Sequence, residues 1–173
     1  MRTVTYGAAC SLDGYIARPD GAVDWLRWSD DVGALMKEFW KGIDTILMGR
    51  KTWEVSVKMG GEAMMKGFTS YLFSRTMAAA PQGMELVKED AGEFVRRLKE
   101  QEGKGICLMG GGELARSLLE AGVVDEVGAN VQPLLLGAGI PLFPPMNRQV
   151  DLELIESRPL AGGCVYLLYR IQP

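Results

Sequence analysis

The 173 residues, 47% of them hydrophobic and 24% charged, suffice for one domain with a core that needs no staples, and leave little for a disordered arm. A net charge of -3 with scattered bases gives no broad basic face for a nucleic acid. The total absence of histidine excludes His-based triads, the HExxH type of metal site and imidazole acid–base chemistry, so no metal is expected and any proton transfer falls to a carboxylate, Tyr, Lys, Cys or water.

In chain order, Thr3 to Ala9 reads as a buried strand, followed by an Asp13-Gly14 turn and a second extended piece, Tyr15-Ile16-Ala17, that ends at Arg18-Pro19-Asp20-Gly21. No basic-then-apolar leader and no long uncharged apolar run is present, so a cytoplasmic protein without membrane contact is expected. From Asp30 to Ile43 the apolar positions Val32, Leu35, Met36, Phe39, Trp40 and Ile43 recur at helical spacing behind a Ser29-Asp30 cap. Further strands are expected at Thr45 to Met48, Ser70 to Phe73, Met84 to Val87, Ile106 to Met109 and Glu126 to Val131. Helices are expected after Gly49, near Asp90 and at Gly112, each in the crossover position of a βαβ unit. Leu152 to Glu156 and Cys164 to Ile171 flank Pro159-Leu160-Ala161-Gly162-Gly163 and predict an antiparallel hairpin at the sheet edge. The fold class is therefore α/β over a single domain, residues 1–173: a three-layer sandwich around a mostly parallel sheet. Cys10, Cys107 and Cys164, odd in number and set in apolar stretches, read as buried thiols in a reducing compartment.

Ligands of open α/β sheets sit beyond the carboxyl ends of the strands, near helix N-termini. Three segments carry suitable chemistry there. In Gly49-Arg50-Lys51-Thr52, glycine lets the backbone approach a ligand, two cations supply charge and the Thr hydroxyl can donate; a plain strand-to-helix turn with solvated bases is the competing reading. Ser74-Arg75 adds a cation after an apolar run, suited to the 2'-phosphate that separates NADPH from NADH. Gly110-Gly111-Gly112, between a strand and the helix beginning Glu113-Leu114, is a pyrophosphate candidate, although it is not the GxGxxG fingerprint.

The order Ser11-Leu12-Asp13-Gly14-Tyr15-Ile16-Ala17, then Met48-Gly49-Arg50-Lys51-Thr52-Trp53-Glu54, then Ser74-Arg75, then Gly110-Gly111-Gly112-Glu113 resembles the dihydrofolate reductase fold. Val124-Asp125-Glu126 and the run from Val131 to Phe143 are similar to the branch that includes the reductase domain of bifunctional riboflavin-biosynthesis deaminase-reductases and its stand-alone bacterial relatives. This resemblance spans nearly the whole chain. It implies NADPH as cofactor, with Gly49, Arg50, Lys51 and Thr52 on its phosphates, Ser74 and Arg75 on the adenosine 2'-phosphate, and Gly110, Gly111, Gly112 and Glu113 over the pyrophosphate. A cis bond between Gly110 and Gly111 is implied too, as is a nicotinamide pocket lined by Ala9, Ile16 and Ala17. The implied reaction is hydride transfer to a small pyrimidine- or pterin-like heterocycle.

The chain departs from true dihydrofolate reductases where they hold the pterin with a helix carboxylate, a slot that falls near Gly33 here. Asp31 is then either that carboxylate in a shifted register or a helix-start charge favoured by the dipole. Asp13 is either the proton-handling group or a turn former. Tyr15 and Trp25 are expected to wall a planar substrate, as is Trp28, while Asn130 either hydrogen-bonds a ligand or satisfies backbone. The polar, Met-bearing stretch from Lys58 to Gly67 reads as a lid or a partner-contacting loop. Leu134-Leu135-Leu136 and Pro141-Leu142-Phe143-Pro144-Pro145 either pack inside the domain or form a two-fold contact, and the family resemblance implies a homodimer. Two alternatives stay open: a true dihydrofolate reductase, and a non-catalytic nucleotide-binding sensor or assembly protein.

Overall fold

The computed structural model describes residues 1–172, without the side chains of Glu62 and Met64; Pro173, part of the expected domain, lies outside the described residues. Along the chain run β1 (Val4–Ser11), β2 (Tyr15–Ala17), α1 (Asp30–Lys41), β3 (Ile43–Gly49), α2 (Arg50–Lys58), β4 (Thr69–Phe73), β5 (Glu85–Val87), α3 (Ala91–Glu100), β6 (Gly105–Gly110), α4 (Gly112–Glu120), β7 (Glu126–Gln132), β8 (Ile140–Pro141), β9 (Leu152–Pro159) and β10 (Val165–Ile171). Eight of the strands form one sheet in the order β5-β4-β3-β6-β1-β7-β10-β9. The six on the β5 side pair in parallel, and β10 and β9 join antiparallel as the C-terminal edge.

The layers follow from which side chains each strand turns to each face. Central strands are apolar on both: Ile46, Leu47 and Met48 in β3 are all essentially inaccessible, as a sheet covered on both sides requires. On one face, α3 and α4 bring Val95, Leu98, Leu114, Ala115, Leu118 and Leu119 against Val4, Tyr6, Leu47, Ile106, Leu108 and Val127. On the other, Trp40 of α1 and Trp53 of α2 pack over Ile46, Met48 and Leu72. Val32 and Leu35 of α1 meet Leu160 and Cys164 at the start of the C-terminal strand. These are the three layers expected from the periodicity. The three cysteines are free and buried.

The helices begin in two different ways. Ser29 caps α1 by accepting from the Val32 amide, and Asp90 caps α3 by accepting from the Glu93 amide at 2.9 Å. Helices α2 and α4 start at Gly49 and Gly111 with no side-chain cap at all. Their first amides are therefore left for another acceptor.

Two features depart from the expected outline. Strand β1 extends to Ser11 because β7 pairs with it to the end, Ser11 opposite Gln132. Tyr15–Ala17 joins a two-stranded ribbon with Ile140–Pro141, apart from the main sheet. The Gly139 beside this ribbon is a steric requirement, since a Cβ there would stand 2.1 Å from the Ala17 carbonyl oxygen. Within the stretch from Lys58 to Gly67, Gly61–Met65 forms a 3-10 turn, and Met65 and Phe68 pack on the cluster around Leu72.

Candidate active site

A crevice opens where two neighbouring strands stop pairing. Strand β1 pairs with β6 only from Val4 to Tyr6, whereas it pairs with β7 from Thr5 through to Ser11. Past Tyr6 the β6 side is free, and Ala8 is exposed although it lies in an interior strand of the main sheet. Tyr6 borders this opening. Its hydroxyl donates to the Leu142 carbonyl at 2.5 Å, its ring stands edge-on to Phe143, and burial pushes its pKa up to about 12. Across the gap lies Gly110, at the end of β6, where a Cβ would come within 3.7 Å of the Tyr6 ring.

The two uncapped helices meet beside this crevice. A Cβ built on Gly111 would lie 3.5 Å from both Gly49 Cα and Thr52 Oγ1, and one built on Gly49 would lie 3.7 Å from Gly111 Cα. Gly111 has φ +88°, a conformation that L side chains rarely adopt, which explains the glycine at that position. Two positive helix ends thus converge on one spot, with the Thr52 hydroxyl between them and Arg50 and Lys51 at its margin. Arg50 is held half-exposed by Glu54 at 2.7 Å, while Lys51 has no ion pair among the described residues. Gly112 and Glu113 open α4 in exposed positions. The cis bond implied between Gly110 and Gly111 is absent: the peptide is trans, and positive φ at both residues makes the turn instead.

Beyond β4, Ser74 and Arg75 stand side by side at the same carboxyl-end rim. The Ser74 Oγ accepts from the Met77 amide at 3.2 Å and shapes the turn, and Arg75 is exposed without an ion pair among the described residues. Ala9 is half-buried on the opposite face of β1 from Ala8, in register with Asn130. Ile16 packs against the main core, Ala17 is buried, and Tyr15 is half-buried in the ribbon, its amide donating to Ser11 Oγ at 3.0 Å. Trp25 is buried, whereas Trp28 is exposed and lies over Gly33.

Both aspartates considered for proton handling are engaged as acceptors. Asp13 takes the amides of Leu136 at 3.1 Å and Gly137 at 2.8 Å, and the Ser11 hydroxyl together with these amides holds its carboxyl below the usual range. Asp31 accepts from Ser29 Oγ and from the Ala161 amide at 2.7 Å, which depress it likewise. Carboxylates so placed stay ionised at neutral pH and tie loops 134–137 and 160–163 to the sheet and to α1.

Sequence reasoning passed over Gln132, the most deeply buried polar side chain of this region. The Asn130-Val131-Gln132 alternation, which puts both amides on one face of a strand, was its available signal. A separate depression of about 540 Å³ lies at the far, amino end of the strands. Three of its cations are engaged internally: Lys99 with Asp125 at 2.7 Å, Arg170 with Glu153 at 3.2 Å and Arg148 with the Leu119 carbonyl at 2.8 Å.

The model of the family described as the RibD C-terminal domain matches residues 2–166. A Shewanella sp. PV-4 structure assigned to riboflavin biosynthesis superposes with a TM-score of 0.82 at 26% identity, over 99% of each chain. The Thermotoga maritima diaminohydroxyphosphoribosylaminopyrimidine deaminase/5-amino-6-(5-phosphoribosylamino)uracil reductase gives 0.74 at 15% identity, over 99% of this chain and 57% of that one. The Enterococcus faecalis dihydrofolate reductase, solved with NADP(H), gives 0.72 at 18% identity, over 99% of this chain and 97% of that one. The architecture is that of the dihydrofolate reductase fold.

Proposed function

The chain belongs to the RibD C-terminal domain family, and from that premise we propose that it is an NADPH-dependent reductase acting on a small pyrimidine- or pterin-like heterocycle. The observation that carries the reading is the convergence of two uncapped helix N-termini at Gly49 and Gly111. It is a built anion site, and its donor set suits a pyrophosphate. Gly49, Arg50, Lys51, Thr52 and the Gly110 to Glu113 turn would hold the phosphates, and Ser74 and Arg75 the adenosine 2'-phosphate. Ala9, Ile16 and Ala17, with the exposed Ala8, would border the nicotinamide end, where the cofactor supplies a hydride when bound.

The remaining residues orient the substrate. Tyr15, Trp25 and Asn130 line the ring side of the crevice in this reading. Asp13 and Asp31 hold the flanking loops as anions, so the proton that completes reduction comes from water and not from either carboxylate. The engagement of Asp31 by Ser29 and Ala161 also weighs against a true dihydrofolate reductase, which needs a free pterin-facing carboxylate.

A homodimer is part of the same proposal. Leu135 (69% exposed), Ile140 (43%) and Phe143 (41%) leave an apolar strip on the segment that closes the site, suited to a two-fold contact. Calorimetric titration with NADPH and then NADH tests the central reading. Tight, NADPH-selective binding is expected; binding of neither refutes the reductase, and NADPH binding without turnover on any heterocycle supports the sensor alternative.

A further inference from the structure

The turn at residues 110–112 offers its amides with no side chain of its own to hold them. All three residues are glycine, Gly110 and Gly111 lie at φ +106° and +88°, and α4 starts without a side-chain cap. Glycine has the most backbone freedom to lose, so such a turn stays aimed only where its neighbours fix it. On one side stand Gly49 and Thr52, which belong to the anion corner itself. The hold from the other side comes from outside that corner.

Tyr6 supplies it twice over. Its ring lies against Gly110, where a Cβ would stand 3.7 Å from Tyr6 Cε2. Its hydroxyl donates to the Leu142 carbonyl at 2.5 Å, and the same ring stands edge-on to Phe143 with centroids 5.8 Å apart. One residue further on, the chain returns to the turn, since a Cβ on Gly112 would lie 3.9 Å from Pro144 Cγ. Residues 142–144 therefore run as a strap from the Tyr6 hydroxyl to Gly112, and ring and strap bracket Gly111 from both sides. The strap is pinned at its start, where the Leu142 amide donates to the Gly14 carbonyl at 2.8 Å. Tyr6 and Leu142 are 3% and 2% exposed, so solvent does not compete for the bond between them.

We propose that Tyr6 is a positioning residue for the cofactor corner: its ring on Gly110 and its hydroxyl on the 142–144 strap keep the glycine turn aimed at a pyrophosphate. A turn released from this hold spends part of its time with its amides turned away, and affinity falls by that fraction. By reciprocity, a bound dinucleotide that fixes the turn also fixes the strap. The inference rests on the reductase reading for the identity of the ligand, but places part of its affinity in a hydroxyl outside the corner.

Tyr6→Phe is the test, because it keeps the ring on Gly110 and Phe143 and removes the O–H alone. Parent and variant are titrated calorimetrically with NADPH and with NADH. Both dinucleotides carry the pyrophosphate, so both are expected to bind about three- to tenfold more weakly, by the same factor, as befits one hydrogen bond. Native-state hydrogen exchange is read at the Ala115 amide, which donates to the Gly111 carbonyl at 2.9 Å and so reports the turn directly. In the unliganded variant it is expected to speed up by a similar factor. Thr45→Val is the control: it removes a buried hydroxyl that accepts from Arg2 near the amino end of β3. It is expected to lower Tm and to leave both affinities and the Ala115 exchange as in the parent, the pattern of a merely structural role.

Parent-like affinities in Tyr6→Phe, a loss confined to one dinucleotide, or an equal loss in Thr45→Val would each overturn the proposal. If Tyr6→Phe fails to fold, the parent decides. NADPH is then expected to slow exchange of the Leu142 amide more than that of the Gly122 amide, past the far end of α4, and equal slowing would overturn the proposal. A parent protein that binds neither dinucleotide counts against the reductase reading instead, and the Ala115 exchange of the unliganded variant still decides whether Tyr6 holds the turn.

Discussion

Replacing Gly111 by alanine separates the proposed phosphate corner from ordinary backbone strain. Gly111 sits at φ +88° and ψ 119°, and a methyl group there would meet Gly49 Cα and Thr52 Oγ1 at 3.5 Å, ordinary contact with no clash. The cost to the unliganded fold is therefore conformational, about 1–3 kcal/mol for an L residue held in so sparse a region. For a domain of this size that is a fall of about 3–10 °C in Tm. The methyl also stands in the gap between the two helix ends. Losing one charge-assisted hydrogen bond there costs about 1.5–3 kcal/mol, or roughly ten- to a hundredfold in NADPH affinity. Gly122→Ala is the control: its φ is +67°, no atom lies within 4 Å of the new Cβ, and it sits just past the far end of α4. It is expected to lower Tm by about 2–4 °C, from about 1 kcal/mol of strain, and to leave NADPH affinity alone. Calorimetry beside thermal denaturation reads both quantities. Unchanged NADPH affinity in Gly111→Ala, or an equal loss in the control, would refute the assignment of this corner.

Four further outcomes follow from the geometry. Arg75→Ala is expected to weaken NADPH by about ten- to a hundredfold while NADH changes little, since only NADPH carries the extra phosphate; equal losses in the two titrations would remove Arg75 from the site. Asp13→Asn is expected to speed amide exchange at Leu136 and Gly137 and to leave the shape of the pH–rate profile intact; loss of a limb of that profile would return Asp13 to proton handling. Because the folded-state pKa values of Asp13 and Asp31 lie below their unfolded ones, the stability they contribute is present above the ordinary Asp value of about 4 and is lost as pH falls through the depressed range. Urea midpoints should thus drop below about pH 4, and less steeply when both are Asn. Leu135→Asp is expected to shift sedimentation from dimer to monomer with NADPH affinity retained, and an unchanged sedimentation profile would exclude that strip as the contact.

The fold was legible wherever burial imposes a period. The helical recurrence from Val32 to Trp40 and the unbroken apolar run Ile46-Leu47-Met48 marked α1 and β3 within a residue or two of their ends. The small β2·β8 ribbon was hidden because Gly139 and Pro141 read as loop, and only contact with a distant strand gives them structure. In the candidate site, glycines and bases at strand ends signalled the corner where the uncapped starts of α2 and α4 meet, because backbone approach and charge are visible as residue types. The positions of Asp13 and Asp31 were visible, but not their engagement. The amides that each carboxylate accepts come from Leu136, Gly137 and Ala161, more than 120 positions away along the chain, and no local pattern announces them. Gln132 was missed for the same reason, since its Oε1 is held by the Arg27 amide and Cys164 Sγ.

The parting of β1 from β6 after Tyr6 divides the labour between two sets of elements. One bank of the opening is made by β3, β4 and β6 with the helices that follow them; the other is made by β1, β7 and the loops that Asp13 and Asp31 tether. In the proposed reading, substitutions of Tyr15, Trp25 or Asn130 on the second bank would alter which ring is accepted while leaving the corner at Gly49 and Gly111 untouched, whereas Ala9, on the same bank, borders the nicotinamide end. A lineage built on this plan can try new substrates by changing one shore while the other keeps its currency.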